Sequence, residues 1–259
     1  MKSTEVKEGG KGKTRRLLPG LAVGDGYMRH PFDIAHGVRT SGLVAGRHLK
    51  SGHPHDRHAT AYYGVAPSVF EGLLRRWRRS RPAASVEETT LVDVGAGMGR
   101  AMLLAARMPF RAVLGVELNG TLARVAGRNL ALWRRSGRAQ APMRLVCGDA
   151  AEFAFPAGAC VAFLFNPFGA TVMRRWLRAT AKGFARRPGE LDILYVNNEQ
   201  ESVLEAQRGL VRLFRGPVKR SGADARADGE ILANQPEGEY ASGDYEDCSI
   251  WRWMGQAQV

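Results

Sequence analysis

Cysteine is scarce in this sequence, with three residues in 259. Cys147, Cys160 and Cys248 are odd in number and far apart, which excludes a disulfide framework and a cysteine-based zinc site. Each lies in an apolar, strand-like run, where a thiol behaves as a small hydrophobic group. We therefore predict three buried, free thiols in a reducing compartment.

Long hydrophobic runs are also missing. The first ten residues contain no apolar signal core, and no later stretch approaches the length that spans a membrane. We therefore expect a cytoplasmic protein that makes no contact with a membrane.

Acidic residues are outnumbered, 25 against 38 Lys and Arg, which gives a net charge of +13. The basic excess lies in the first 150 residues. Clustered cations attract phosphates, so nucleic acid is one candidate partner of this basic part. Arginine greatly outnumbers lysine, however, and a solvated arginine-rich surface explains the same bias. Both interpretations stay open on composition alone.

The length suits one α/β domain with an N-terminal extension. Residues 1–20 contain many Lys, Arg and Gly and little to bury, which predicts a disordered basic tail. We expect residues 21–84 to form an extension that covers the active site and residues 85–259 to form the main domain. Within the extension, Ser68 as N-cap and Glu71 three residues later form a capping box that predicts the start of a helix.

All six histidines fall between His30 and His58, three of them in the stretch His53-Pro-His55-Asp-Arg-His58. A metal site would need several of these ligands to converge. No cysteine or carboxylate cluster in the sequence completes such a shell. We therefore predict a polar surface loop over the active site and no metal.

A glycine-rich turn at residues 95–99 organises the chain. It follows the apolar run that contains Asp93, and a helical pattern closed by Pro109 comes after it, which predicts strand, tight loop and helix. Glycines let the backbone approach a ligand, and the helix N-terminus adds free N–H groups. A dinucleotide fingerprint would need glycine at position 100, where this chain has Arg100. The spacing favours a nucleoside over a dinucleotide.

Three polar residues follow the next apolar runs. Glu117 ends the second strand, 22 residues after Gly95, where a carboxylate can accept hydrogen bonds from both ribose hydroxyls of a nucleoside. Asp149 ends the third predicted strand. Asn166 follows the apolar run from Cys160, beside the first strand in a doubly wound sheet, and we expect it to face the reacting group.

The C-terminal third predicts fewer elements. A basic helix should cover residues 172–186, a fifth strand residues 190–198, and another helix should begin near Gln200. Residues 216–247 are rich in turn formers and acids, which predicts a loop. The final stretch alternates like a strand, and we expect Ile250, Trp251 and Trp253 to pack an edge of the sheet.

The order Asp93-x-Gly95-x-Gly97-x-Gly99, with the later acids, resembles the class I methyltransferases that use S-adenosylmethionine (SAM). This resemblance implies a Rossmann-like α/β fold with a seven-stranded sheet in order 3-2-1-4-5-7-6, the last strand antiparallel. It also resembles small uncharacterised bacterial methyltransferases and, more distantly, histone-lysine methyltransferases that lack a SET domain, through Tyr63-Gly64 and Ser68. The cofactor residues that the resemblance implies are Asp93, Gly95, Ala96, Gly97, Gly99, Glu117, Leu118, Asp149, Ala150 and Tyr63.

The sequence Asn166-Pro167-Phe168 is similar to the Asn-Pro-Pro-aromatic motif of enzymes that methylate amino groups, which implies that these three residues are catalytic. Phe168 replaces the second proline of that motif, so the resemblance does not specify base methylation. We predict methyl transfer to a nitrogen or oxygen of a protein or small molecule. A nucleic-acid methyltransferase and a non-catalytic nucleoside-binding module are the alternatives. The sequence names no separate general base; Asp33, Tyr63 and the loop histidines are candidates only because they belong to the segment expected to cover the site.

Overall fold

The computed structural model describes residues 18, 19, 21, 26–235 and 243–255. Apart from residues 18 and 19, the predicted basic tail lies outside the described residues. Among the described residues, no helix combines the length and the apolar character that crossing a membrane requires. The predicted compartment and the predicted domain boundaries stay predictions.

Seven strands and seven α-helices are described. The strands are β1 (Thr90–Val94), β2 (Ala112–Glu117), β3 (Met143–Cys147), β4 (Cys160–Phe165), β5 (Leu191–Val196), β6 (Leu210–Lys219) and β7 (Tyr245–Trp253). The helices are α1 (Pro31–His36), α2 (Pro67–Arg79), α3 (Arg100–Ala105), α4 (Gly120–Arg135), α5 (Ala170–Gly183), α6 (Glu201–Glu205) and α7 (Gly222–Ala233). Short 3₁₀ helices cover Gly46–His48, Pro54–His58 and Ala150–Glu152.

The strands form one sheet in the order β3-β2-β1-β4-β5-β7-β6. Strands β1 to β5 are parallel to one another, and β7 runs antiparallel between β5 and β6. The predicted fold class is thereby confirmed. Strand order reverses between β1 and β4, so the carboxyl ends of these two strands open a crevice at the centre of the sheet.

Apolar layers cover both faces of the sheet. All five residues of β1 and all six of β5 are buried, as expected for central strands covered by helices on both sides. One layer includes Trp77 from α2 and Trp133 from α4, and the other includes Trp176 from α5. Trp133 is a core residue because it lies on the buried stripe of α4.

The predicted loop at residues 216–247 is wrong where the structure describes it. The end of β6 and all of α7 occupy this stretch. β6 is an edge strand with mostly exposed side chains and contains Gly216 and Pro217, so its sequence lacks a strand pattern. α7 contains Gly222 and Gly229, which weaken helix propensity, and Ser221 caps its first turn by accepting from the N–H of Asp224.

The tryptophans of β7 are not at an edge of the sheet. β7 pairs with β5 on one side and β6 on the other, and Ile250, Trp251 and Trp253 are buried. The expectation failed because β6, which covers β7, was not recognisable in the sequence.

Two local predictions also need correction. Ala66, not Ser68, is the N-cap of α2, because Pro67 already occupies the first helical position. The Ser68 hydroxyl instead accepts from the N–H of Ser221, and its own N–H donates to Asp224, so it joins α2 to α7. Cys147 is exposed because it lies on the outermost strand β3, whereas Cys160 and Cys248 are buried and free. Burial raises the pKa of Cys160 to about 11.

Candidate active site

A cavity opens at the carboxyl ends of β1 to β4. Its floor consists of the loop after β1 and the residues that follow β2, β3 and β4. Its roof consists of residues 59–65 together with His55 and Asp56 from the preceding 3₁₀ helix. The parts of the chain that carry the sequence motifs therefore face one common space, as expected for the switch point of a doubly wound sheet.

The glycine-rich loop has the backbone conformation that only glycine adopts readily. The φ angles of Gly95, Gly97 and Gly99 are 78°, 54° and 87°. A Cβ atom on Gly95 would lie 2.5 Å from the side chain of Pro167, and one on Gly97 would lie 2.2 Å from the ring of Tyr62. Gly95, Ala96 and Gly97 line the cavity, whereas Gly99 faces α4.

Glu117 stands at the end of β2 and borders the cavity. Its Oε2 accepts from the N–H of Gly97 at 2.7 Å, and its Oε1 accepts from the N–H of Asn119 at 2.7 Å. Burial nevertheless raises the pKa of the Glu117 carboxyl. The two bonds hold both oxygens in place and leave further lone pairs for a ligand. Leu118, which follows, also lines the cavity.

Asp93 is a second buried carboxyl in the floor. Desolvation, with the neighbouring charge of Glu117, raises the pKa of Asp93 to about 8. At neutral pH Asp93 is therefore mostly protonated, and its hydroxyl is able to donate a hydrogen bond.

Asp149 forms the third part of the floor, beside Ala150. Its Oδ1 accepts from the N–H of Ala151 at 2.9 Å, which caps the 3₁₀ helix Ala150–Glu152. Its Oδ2 lies 3.1 Å from Nδ1 of His55 in the roof. No local pattern predicted the contact between His55 and Asp149, which are far apart in the chain.

The segment Asn166-Pro167-Phe168 is attached to the roof. Phe168 forms an antiparallel bridge with Ala59, and the Thr60 hydroxyl donates to the carbonyl oxygen of Asn166. Pro167 and Phe168 line the cavity, but Asn166 does not. Asn166 has φ 37°, and its Oδ1 accepts from the Tyr195 hydroxyl at 3.3 Å. Its predicted position facing the reacting group is not the position of this side chain in the structure, and its catalytic role stays a prediction.

The candidate general bases have structural partners. Asp33 is fully buried and accepts hydrogen bonds from the N–H and hydroxyl groups of both Thr40 and Ser41, so it cannot reach the cavity. Tyr63 lines the cavity, but its hydroxyl donates to Asp228 at 2.6 Å. Burial raises the pKa of Tyr63 far above its ordinary value. Neither residue is therefore available as a base in this arrangement.

Arg100 contacts the roof, a role that was not predicted from the sequence, where this residue only replaces the third glycine of a dinucleotide fingerprint. Its guanidinium is buried and donates to Thr40 Oγ1 at 2.7 Å, Ser41 Oγ at 3.2 Å and the Gly64 carbonyl at 3.1 Å. It also lies 3.9 Å from Asp33. Arg100 thus joins the first turn of α3, directly after the glycine loop, to the roof. The signal in the sequence was one charged residue at the head of an apolar helix.

Comparison with known proteins gives a fold. No family model and no curated protein sequence matches this chain. The [4+2]-cyclase SpnF aligns with a TM-score of 0.51 at 16% identity over 72% of this chain and 82% of that chain. A putative RNA methyltransferase from Pyrococcus horikoshii (TM-score 0.46, 14% identity, 73% and 82%) and the magnesium protoporphyrin IX methyltransferase from Synechocystis with bound SAM (0.45, 9%, 71% and 77%) are also similar. The likeness to SpnF and the observed strand order show a Rossmann-like fold with a seven-stranded sheet; at these identities the likeness does not give the reaction.

Proposed function

We propose that this protein is a class I methyltransferase that binds SAM in the cavity between floor and roof. The observation that carries the proposal is the convergence of four separate stretches on one cavity. The glycine loop, the acid after β2, the acid after β3 and the proline-aromatic segment after β4 all border it, although they lie far apart in the chain. One nucleoside with an attached amino acid would need all of these positions.

The floor offers a partner for each part of the cofactor. Glu117 would accept hydrogen bonds from the ribose hydroxyls with lone pairs that its two backbone bonds leave free. Asp149 would accept a hydrogen bond from the amino group of adenine, and Leu118 and Ala150 would lie beside the ring. The loop Gly95–Ala96–Gly97 would lie against the methionine part, where the positive φ angles allow the backbone to come close.

The acceptor would enter past Pro167 and Phe168. Methyl transfer from a sulfonium is an in-line displacement, so positioning of donor and acceptor supplies much of the rate. Asp33 and Tyr63 are already hydrogen-bonded to other residues, so neither would act as a general base. The acceptor would therefore be neutral at working pH or would lose its proton to solvent. We infer a nitrogen or oxygen acceptor on a protein or small molecule; the resemblance to histone-lysine methyltransferases suggests an amine as the first group to test.

Calorimetry with SAM, S-adenosylhomocysteine and NAD on the purified protein tests this proposal. We expect micromolar binding of both methyl-cycle ligands and none of NAD. Glu117→Ala should weaken binding at least tenfold because it removes the ribose acceptor, while the folded fraction, measured by circular dichroism, stays unchanged. A folded Glu117→Ala variant with wild-type affinity would contradict the ribose assignment. Absence of SAM binding to the wild-type protein would favour a degenerate scaffold.

Nucleic acid is a second candidate acceptor, favoured by the surface of α5. This helix contains no acid, begins beside the cavity at Val172, and exposes Arg174, Arg178 and Lys182 along about 12 Å of one face. None of these three cations has an ion-pair partner among the described residues. Phosphates bound here would lie next to the mouth of the cavity.

Removal of these cations distinguishes a binding surface from general arginine richness. The triple variant Arg174→Ala, Arg178→Ala and Lys182→Ala should reduce RNA affinity and lower the salt slope by about two to three. The matched control removes three exposed arginines from α4: Arg124, Arg128 and Arg135. Equal losses in both variants would indicate non-specific attraction, and the acceptor would then be sought among proteins and small molecules.

A further inference from the structure

The roof and the floor meet at two polar atoms. Nδ1 of His55 and Oδ2 of Asp149 are 3.1 Å apart, both are buried, and neither has a hydrogen-bond partner among the described residues. The side chain of Asp149 is 5% exposed and that of His55 is 14% exposed. Buried polar atoms in native proteins are almost always satisfied, and two arrangements satisfy this pair: a proton on Nδ1 shared with Oδ2, or one cation that both atoms bind.

His53 adds a third ligand to the same place. One ligand atom from each of His53, His55 and Asp149 lies within 4.8 Å of the others, and the two imidazole rings meet edge to face with centroids 4.8 Å apart. The sequence predicted a polar loop without metal because no cysteine or carboxylate cluster completes a shell there. Folding supplies a carboxylate from the end of β3.

We propose that His53, His55 and Asp149 bind one divalent transition-metal ion, of the class of Zn²⁺, at the join between roof and floor. Zinc accepts imidazole nitrogen and carboxylate oxygen at about 2.0–2.2 Å, so two ligand atoms of one ion lie roughly 3 Å apart, as His55 and Asp149 do. Imidazole ligands exclude Mg²⁺ and Ca²⁺, which prefer oxygen. Three protein ligands leave a fourth position for water.

The three ligand side chains differ in the hydrogen bonds that they make before the ion binds. Nδ1 of His53 accepts from the N–H of His55 at 3.2 Å, so binding of the ion at this nitrogen would break that bond. His55 and Asp149 need no such exchange. The contribution of His53 to affinity should therefore be the smaller one.

Arg175 places a positive charge beside His55, where it opposes the binding of a cation. Its Nη1 lies 3.3 Å from Nε2 of His55, while its Nη2 donates to Glu152 at 3.2 Å. When Nδ1 binds a metal, Nε2 carries the proton and faces this guanidinium, and the cation also repels the ion. Arg175→Ala should therefore raise zinc affinity about two- to threefold.

The consequence is a tie between two parts of the chain. His55 belongs to the roof and His53 lies just before it, whereas Asp149 follows β3 in the floor. An ion bound to both would hold the adenine side of the cavity closed. The proposal does not require methyl transfer, since metal binding is measured on the protein without cofactor.

Zinc titration by calorimetry on protein made without a histidine tag and stripped with a chelator tests the site. We expect one ion per chain and a rise in Tm when zinc is added. His55→Ala and Asp149→Asn should each weaken binding at least tenfold, and His53→Ala less. The matched control is His58→Ala, a half-buried histidine of the same 3₁₀ helix that lies outside the ligand group, which should stay within threefold of wild type.

Three results would overturn the proposal. One is the absence of saturable zinc binding to the wild-type protein. Another is an equal loss in His58→Ala and His55→Ala, which would indicate a loosely binding histidine-rich segment. The third is Mg²⁺ binding as tight as that of Zn²⁺. Equal Tm values for all variants in chelator would show that lost binding is not lost folding.

Discussion

The floor and the roof of the cavity differ in how their residues are held. Floor residues such as Glu117 and Asp149 follow strands and bond to backbone N–H groups close by in the chain or in the neighbouring glycine loop. Roof residues are held by side chains from distant parts of the chain, above all Arg100 and Asp228. The floor is therefore held by residues that are close in the sequence, whereas the roof depends on a few buried charged residues from distant segments.

The largest effect on stability should follow from removal of Arg100, the charged residue that joins floor and roof. Arg100→Ala leaves Asp33 buried without its cation and frees the roof, which should lower the free energy of unfolding by about 3–5 kcal/mol. Urea denaturation measures it. Arg107→Ala, an exposed arginine at the other end of the same helical region, should cost less than about 1 kcal/mol. Similar losses would mean that Arg100 does not join floor and roof.

Asp93 tests the floor through pH. Its pKa is raised from the ordinary 3.8 to about 8, so the folded protein keeps a proton that the unfolded chain loses, and stability falls as pH rises from about 4 to 8. Asp93→Asn removes this loss, so its stability relative to wild type should rise between pH 4 and pH 8 with a slope of up to about 1.4 kcal/mol per pH unit. Thermal denaturation across this range checks it; parallel curves would contradict a neutral Asp93.

Gly97 tests the contact between the two parts directly. Gly97→Ala introduces a Cβ at a positive φ and 2.2 Å from the Tyr62 ring, so it should cost about 1–2 kcal/mol and weaken SAM binding by displacing the roof. Gly127→Ala in α4, where a Cβ meets open space, should instead stabilise by up to about 1 kcal/mol. Unfolding and calorimetry on both variants provide the comparison. Unchanged cofactor affinity in Gly97→Ala would mean that the roof moves freely over the loop.

Tyr63 should show the smallest effect on the ligand. Tyr63→Phe keeps the ring that lines the cavity and removes the hydroxyl that donates to Asp228. Stability should fall by about 1 kcal/mol, while SAM affinity stays within threefold of wild type. A large loss of affinity at unchanged stability would restore a direct role for this hydroxyl in the cofactor site.

The sequence predicted the floor well because its signals are local. Strand, glycine turn and strand-end acid follow one another within short windows, and the predicted sheet order is the observed one. It failed for β6 and α7, whose side chains show little alternation or helix propensity and whose stability comes from pairing with β7 and from buried Asp228. It also did not predict that the Tyr195 hydroxyl, on another strand, donates to the side chain of Asn166.

The sequence by itself determined the fold class, the glycine conformations after β1 and the acids that end β2 and β3, since each depends on neighbouring residues and on strand-to-helix periodicity. Only the tertiary structure decided what Asp33, Arg100, Tyr63, His53 and His55 do. Their polar groups are buried, and a buried polar group must find a partner wherever the fold provides one. That partner is set by packing between distant segments, which no local pattern in the chain records.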